Sequence, residues 1–125
     1  MARILLIEDD DSIRTMLAEH LALAGHTVIE AGDGREGLAR FRQVGADLVI
    51  TDIVMPEKEG FAVLMELRTA QPPVKIIAIS GGGESGSGAD YLATATLMRA
   101  AKVLLKPFRT SALLVAINDL LPGDV

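Results

Sequence analysis

The chain has 125 residues, half of them hydrophobic, with no cysteine, two histidines and a formal net charge of -5. That length fits one folded domain with no output unit beside it, and the missing cysteines exclude disulfides, thiolate catalysis and cysteine-held metals. The negative charge and scarce aromatics exclude a nucleic-acid partner, while strand-sized apolar runs, well below the roughly 20 residues of a membrane span, predict a cytoplasmic protein with no membrane partner.

Ile4-Leu5-Leu6-Ile7 is a short apolar run closed by Glu8, Asp9, Asp10 and Asp11, the pattern of a central strand. Ile13, Met16, Leu17, Leu21 and Ala24 then recur at helical spacing, with an acidic cap in front and Gly25 as the stop. His20 lies on or beside that stripe and reads as a partly buried packing residue. Thr27–Ala31 alternates more, as suits a strand nearer the sheet edge. Gly32-Asp33-Gly34 turns the chain, Asp33 caps a helix through Leu38 and Phe41 that ends near Gly45, and Asp47 leads into the next strand.

Leu48-Val49-Ile50-Thr51-Asp52-Ile53-Val54-Met55-Pro56 carries one carboxylate through an otherwise apolar run. A strand buried on both faces has no place for an unpaired charge, so Asp52 belongs at its exit. A helix bearing Phe61, Leu64 and Leu67 follows and stops at Gln71-Pro72-Pro73. Val74 to Ile79 is a fourth strand, ending at Ser80, and Gly81 to Gly88 is a glycine-rich loop. A helix from about Ala89 to Ala101 leads to a fifth strand, Val103-Leu104-Leu105, and then to Lys106-Pro107-Phe108. The final helix bears Leu113, Ala116, Ile117, Leu120 and Leu121, and Pro122-Gly123 ends it.

Alternating strands and helices call for a parallel sheet covered by helices on both faces, and right-handed crossovers put every strand's carboxyl end on one edge. Glu8, Asp9, Asp52, Ser80 and Lys106 fall on that edge, where open sheets of this kind hold ligands. Crowded carboxylates repel, and a divalent cation relieves them. Magnesium suits the site, because it takes oxygen ligands and commonly only one or two carboxylates, with waters and phosphate oxygens for the rest. Asp52 would keep an oxygen free to attack phosphorus, as carboxylates do when they form aspartyl phosphates. Lys106 would set a point charge against the phosphoryl oxygens and the Ser80 hydroxyl would donate to them.

Glu8-Asp9-Asp10 after the first strand, Asp52 with Met55-Pro56 after the third, Ser80 after the fourth and Lys106-Pro107-Phe108 after the fifth resemble the receiver domain of two-component response regulators. The likeness is to the stand-alone, chemotaxis-regulator-like kind, and it covers essentially the whole chain. It implies a flavodoxin-like, doubly wound α/β fold with five parallel strands in the order 2-1-3-4-5 and five helices. By that resemblance Asp52 is the phosphoacceptor for a histidine kinase or histidine phosphotransfer protein in a phosphorelay. Asp9 and Asp52 then hold Mg2+ (or Mn2+) directly, Glu8 through water, and Val54 through its backbone carbonyl. Lys106 contacts the phosphoryl group, the Lys106-Pro107 peptide is cis, and Ser80 is the switch hydroxyl. The protein assists its own phosphorylation and dephosphorylation without being an enzyme in the ordinary sense.

Two departures from the family pattern stand out. Val103 occupies the place of the usual switch Tyr or Phe, and the loop containing Gly81 and Gly82 is longer and richer in glycine, so loop movement is expected to replace the ring. The signal is expected to leave by contact with a downstream protein through the fourth helix, fifth strand and fifth helix, where Leu97, Met98, Val103 and Leu114 lie. Three other readings compete. A phosphorylation-independent interaction module would share the fold. A phosphohydrolase of the haloacid dehalogenase type would need a second acid where Val54 stands. The G-x-G-x-x-G match at Gly81 to Gly86 is in the wrong strand-helix turn for a dinucleotide site, and Lys106 stands where the ribose-binding acid would be. Asp10, Asp11, Asp33 and Asp47 read as caps, turns or solvated acids.

Overall fold

The computed structural model describes residues 2–52, 66–67, 69, 74–80, 102–105 and 108–121, with Asp52, Ser80, Val103 and Leu105 described by their backbone. Five strands, β1 (Arg3–Ile7), β2 (Thr27–Ala31), β3 (Leu48–Asp52), β4 (Lys75–Ser80) and β5 (Lys102–Leu105), form one sheet in the order β2-β1-β3-β4-β5. All four pairings are parallel. Three helices are described, α1 (Asp11–Leu23), α2 (Gly34–Val44) and the C-terminal α3 (Thr110–Leu120), and Glu66 and Leu67 are also helical. The expected sheet order and doubly wound class are thus met. The segments expected to hold Phe61, Leu64, Leu97, Met98 and Pro122-Gly123 lie outside the described residues.

The continuous apolar runs exist because the central strands are buried on both faces, as parallel sheets are. Side chains alternate across the sheet. Ile4 and Leu6 of β1, Leu48 and Ile50 of β3, and Ile77 and Ile79 of β4 pack with Leu17 and Leu21 of α1 and Leu113 and Ile117 of α3. Leu5, Ile7, Val49 and Ile76 face the other way, against Ala31, Leu38 of α2 and Leu67. Each face therefore needs its own helical cover, which the chain supplies by winding in both directions from β1.

Local chemistry sets the helix ends. The Asp10 carboxylate accepts from the Ile13 N–H at 3.0 Å and caps α1, while Gly25, at φ 99°, takes the left-handed conformation just beyond it. Asp33 accepts from the Glu36 N–H at 2.7 Å, and Gly45, at φ 70°, closes α2. Four expectations need correction. Met16 is 44% exposed rather than part of the core, because α1 turns Ala18 inward with Leu17 and Leu21; Ala24 lies past the helix as its cap. Leu121 likewise caps α3 instead of extending it, and Val74 precedes β4.

Candidate functional site

Strand order reverses between β1 and β3, since the chain leaves β1 for β2 on one side and later adds β3 on the other. Open sheets of this kind bind ligands in the crevice outside the carboxyl ends of such strands. Register decides which residues meet there. Ile7 pairs with Thr51, so Glu8 and Asp52 come next on neighbouring strands. Asp52 pairs with Ile79, placing Ser80 one position further along, and Ser80 pairs with Leu105, the residue before Lys106. The backbone positions of Glu8, Asp52 and Ser80 and the end of β5 therefore share one edge of the sheet. Val103 pairs with Ala78 deeper in the sheet. Val54, Gly81, Gly82, Lys106 and Pro107 lie outside the described residues.

Glu8 is fully buried, whereas Asp9 and Asp10 are exposed. A buried carboxylate requires hydrogen-bond partners. Glu8 Oε2 accepts from the Asp10 N–H at 3.2 Å. The Glu8 backbone is fixed as well: its N–H donates to the Ala31 carbonyl of β2 at 3.1 Å, and its carbonyl accepts from Arg14 Nη1 at 2.8 Å. Arg14 Nη2 also donates to Asp11 Oδ1 at 2.6 Å, and that bond is the main reason the guanidinium holds its proton even more firmly than usual. Arg14 was not singled out from the sequence. The available signal was its i,i+3 spacing from Asp11 behind the acidic turn.

These donors are hard oxygens, which fit magnesium better than zinc or copper. Among the described residues no group of three or more His, Cys, Asp or Glu forms a ready cage. Magnesium asks for less, since one or two carboxylates and several waters usually suffice. Glu8 and Asp9 at the end of β1, with Asp52 on the adjoining strand, meet that requirement in kind. Among the described residues, no helix is long and apolar enough to cross a membrane.

The topology and the acidic edge define a flavodoxin-like, doubly wound α/β protein with its site at the β1/β3 switch point. Residues 4–118 match the response regulator receiver domain, and the chain belongs to that family. It is a receiver domain of two-component systems, whose members are phosphoacceptors that interact with histidine kinases and downstream targets. It is 36% identical to the response regulator receiver protein CpdR of Brucella abortus, over 97% of this chain and 98% of that one. It is also 35% identical to the sensor kinase CckA of the same organism, over 96% of this chain but only 12% of the kinase. Among solved structures, the response regulator TrrA of Thermotoga maritima in complex with Mg(2+)-BeF superposes with a TM-score of 0.81 at 32% identity, covering 97% of this chain and all of that one.

Proposed function

We propose that Asp52 accepts a phosphoryl group from the phosphohistidine of a histidine kinase or histidine phosphotransfer protein. In the transfer, an Asp52 oxygen attacks phosphorus, the P–N bond to the donor imidazole breaks, and its electron pair stays on the imidazole nitrogen, which takes up a proton. The observation that supports this reading is the strand register, in which the backbone positions of Glu8, Asp52, Ser80 and the end of β5 follow one another along the sheet edge that contains the switch point. Magnesium or manganese on Asp9 and Asp52, with Glu8 through water and the Val54 carbonyl, would supply positive charge against the phosphoryl oxygens. Lys106 sets a second positive charge against the same oxygens, and the Ser80 hydroxyl donates to one of them.

The phosphorylated protein signals by contact with a downstream protein through the face expected from the fourth helix of the sequence pattern, which lies outside the described residues, together with β5 and α3. A phosphorylation-independent module is not favoured by membership of a phosphoacceptor family. Incubation with acetyl phosphate and magnesium, followed by intact mass, tests the reading. The wild type is expected to gain one phosphoryl group and Asp52→Asn none. No gain on the wild type, or equal labelling of both, would overturn it.

A further inference from the structure

One cationic side chain grips the acidic turn from three elements. Arg14, whose side chain is only 18% exposed, donates from Nη1 to the Glu8 carbonyl at the end of β1 at 2.8 Å. Nη2 bonds Asp11 in the first turn of α1 at 2.6 Å, and Nε lies 3.5 Å from Glu30 of β2. The turn after β2 leaves room for it: a Cβ added at Gly32 would stand 3.3 Å from Nη1. The donors of a guanidinium are fixed in one planar fork, so simultaneous bonds to a backbone carbonyl and a carboxylate set the position of each relative to the other. Between them lie Asp9 and Asp10. Glu8 is already tied to β2 by its N–H, and Arg14 removes the remaining freedom of its carbonyl.

We propose that Arg14 is a positioning residue for divalent-cation binding, holding the Glu8–Asp11 turn in the conformation in which Glu8 and Asp9 meet the cation. The proposal rests on the assignment of Glu8 and Asp9 to the cation site. Simple electrostatics pulls the other way. A fixed positive charge beside the site repels an incoming cation, so removing Arg14 would tighten binding if charge alone mattered. Held geometry weakens binding when it is lost, because outer partners of metal ligands orient those ligands. The sign of the change therefore separates the two effects.

The full chain, as wild type, Arg14→Met and Arg14→Lys, is titrated with magnesium and followed by backbone amide shifts. Amide hydrogen exchange of Glu8, Asp10 and Ile13 is measured without metal, and thermal melting reports folding. Both variants are expected to bind magnesium about tenfold more weakly or worse, and to exchange those amides faster while still folded. Lysine keeps the charge and loses the fork, so it is not expected to rescue. Tighter or unchanged magnesium binding by Arg14→Met, or full rescue by Arg14→Lys, overturns the proposal. If neither variant folds, Gly32→Ala serves, since its methyl would stand 3.3 Å from Nη1, tighter than ordinary contact, but at an ordinary 3.7 Å from Glu36 Oε1; weaker magnesium binding with faster Glu8 and Asp10 exchange supports the role of Arg14, and unchanged binding and exchange refute it. Failure of the wild type to bind magnesium overturns the site assignment instead. Metal-free exchange then decides the positioning role separately, with equal exchange in wild type and variants counting against it.

Discussion

Gly37 of α2 lies directly on Ile7 of β1, so closely that a Cβ built on the glycine would overlap Ile7 Cδ1 and stand 2.8 Å from Cγ1. Ile7 is fully buried and precedes Glu8, so a displaced side chain there disturbs the strand end that carries the acidic turn. Gly37→Ala gains about 1 kcal/mol of helix propensity, whereas overpacking a filled core costs about 1–3 kcal/mol. The upper end of that range applies because the neighbour is fully buried, which leaves a net loss of about 1–2 kcal/mol. Ile7→Val removes Cδ1, the nearer of the two clashing atoms, and so relieves part of the overlap. In urea melts, the double variant is expected to be more stable than the sum of the two single losses implies.

Asp33 and Glu36 together fix the start of α2. Asp33 accepts from the Glu36 N–H at 2.7 Å, and Glu36 Oε1 accepts from the Gly32 N–H at 2.6 Å. The first bond satisfies a backbone donor that the first turn leaves without a helical partner, and the second ties the residue before the cap to that turn. Asp33→Ala is expected to cost about 1 kcal/mol, and Asp33→Asn much less, because an amide oxygen still accepts. Equal loss in both variants would show that charge at the helix end, not the hydrogen bond, carries the effect.

Features governed by local chemistry were legible in the sequence. The strands were visible because a parallel strand must bury both faces, which leaves a continuous run such as Ile4 to Ile7. Asp33, Gly25 and Gly45 were visible because only a few residue types suit a cap or a left-handed turn. The positions of Glu8, Asp52 and Ser80 followed from strand ends, and the observed register agrees. What depends on neighbouring elements was hidden. Helical spacing places Met16 and Ala18 on opposite flanks of one stripe, and the packing of α1 on the sheet decides that Ala18 is buried. Arg14 was missed for the same reason, since its grip needs the direction of the Glu8 carbonyl and the approach of Glu30 from β2.

Arg42 of α2 clasps Glu66 with both ends of its guanidinium: Nε donates to Glu66 Oε2 at 2.7 Å, and Nη2 to Oε1. That hydrogen bonding lowers the Glu66 pKa below the ordinary glutamate value. A carboxyl whose folded pKa is depressed adds stability above its unfolded pKa, about 4.3, and loses it as pH falls through the lower folded value. The pair is largely exposed, so its contribution is small and weakened by salt. Glu66→Gln is expected to melt slightly below the wild type at neutral pH, with the difference shrinking as pH falls below the unfolded pKa of about 4.3 and gone once pH is below the folded one. A difference that persists in acid would assign the effect to packing.

His20 of α1 reaches Thr110, the first residue of α3, with Nδ1 3.0 Å from the hydroxyl oxygen. The bond matters because the N-cap of α3, Arg109, makes no side-chain capping bond, so this contact is what anchors the start of that helix to α1 among the described side-chain bonds. The anchored turn begins four residues after Lys106, so slack there would reach the segment assigned to the phosphoryl group. Thr110→Val keeps the branched shape and removes the hydroxyl, and His20→Phe keeps a ring and removes the nitrogen. Whichever of the two donates, each single variant loses the same bond. A double-mutant cycle in denaturant is expected to return a coupling of about 0.5–1.5 kcal/mol. If the two losses simply add, the bond contributes nothing and the anchor of α3 must lie in the packing of Leu113 and Ile117 against α1 and the sheet.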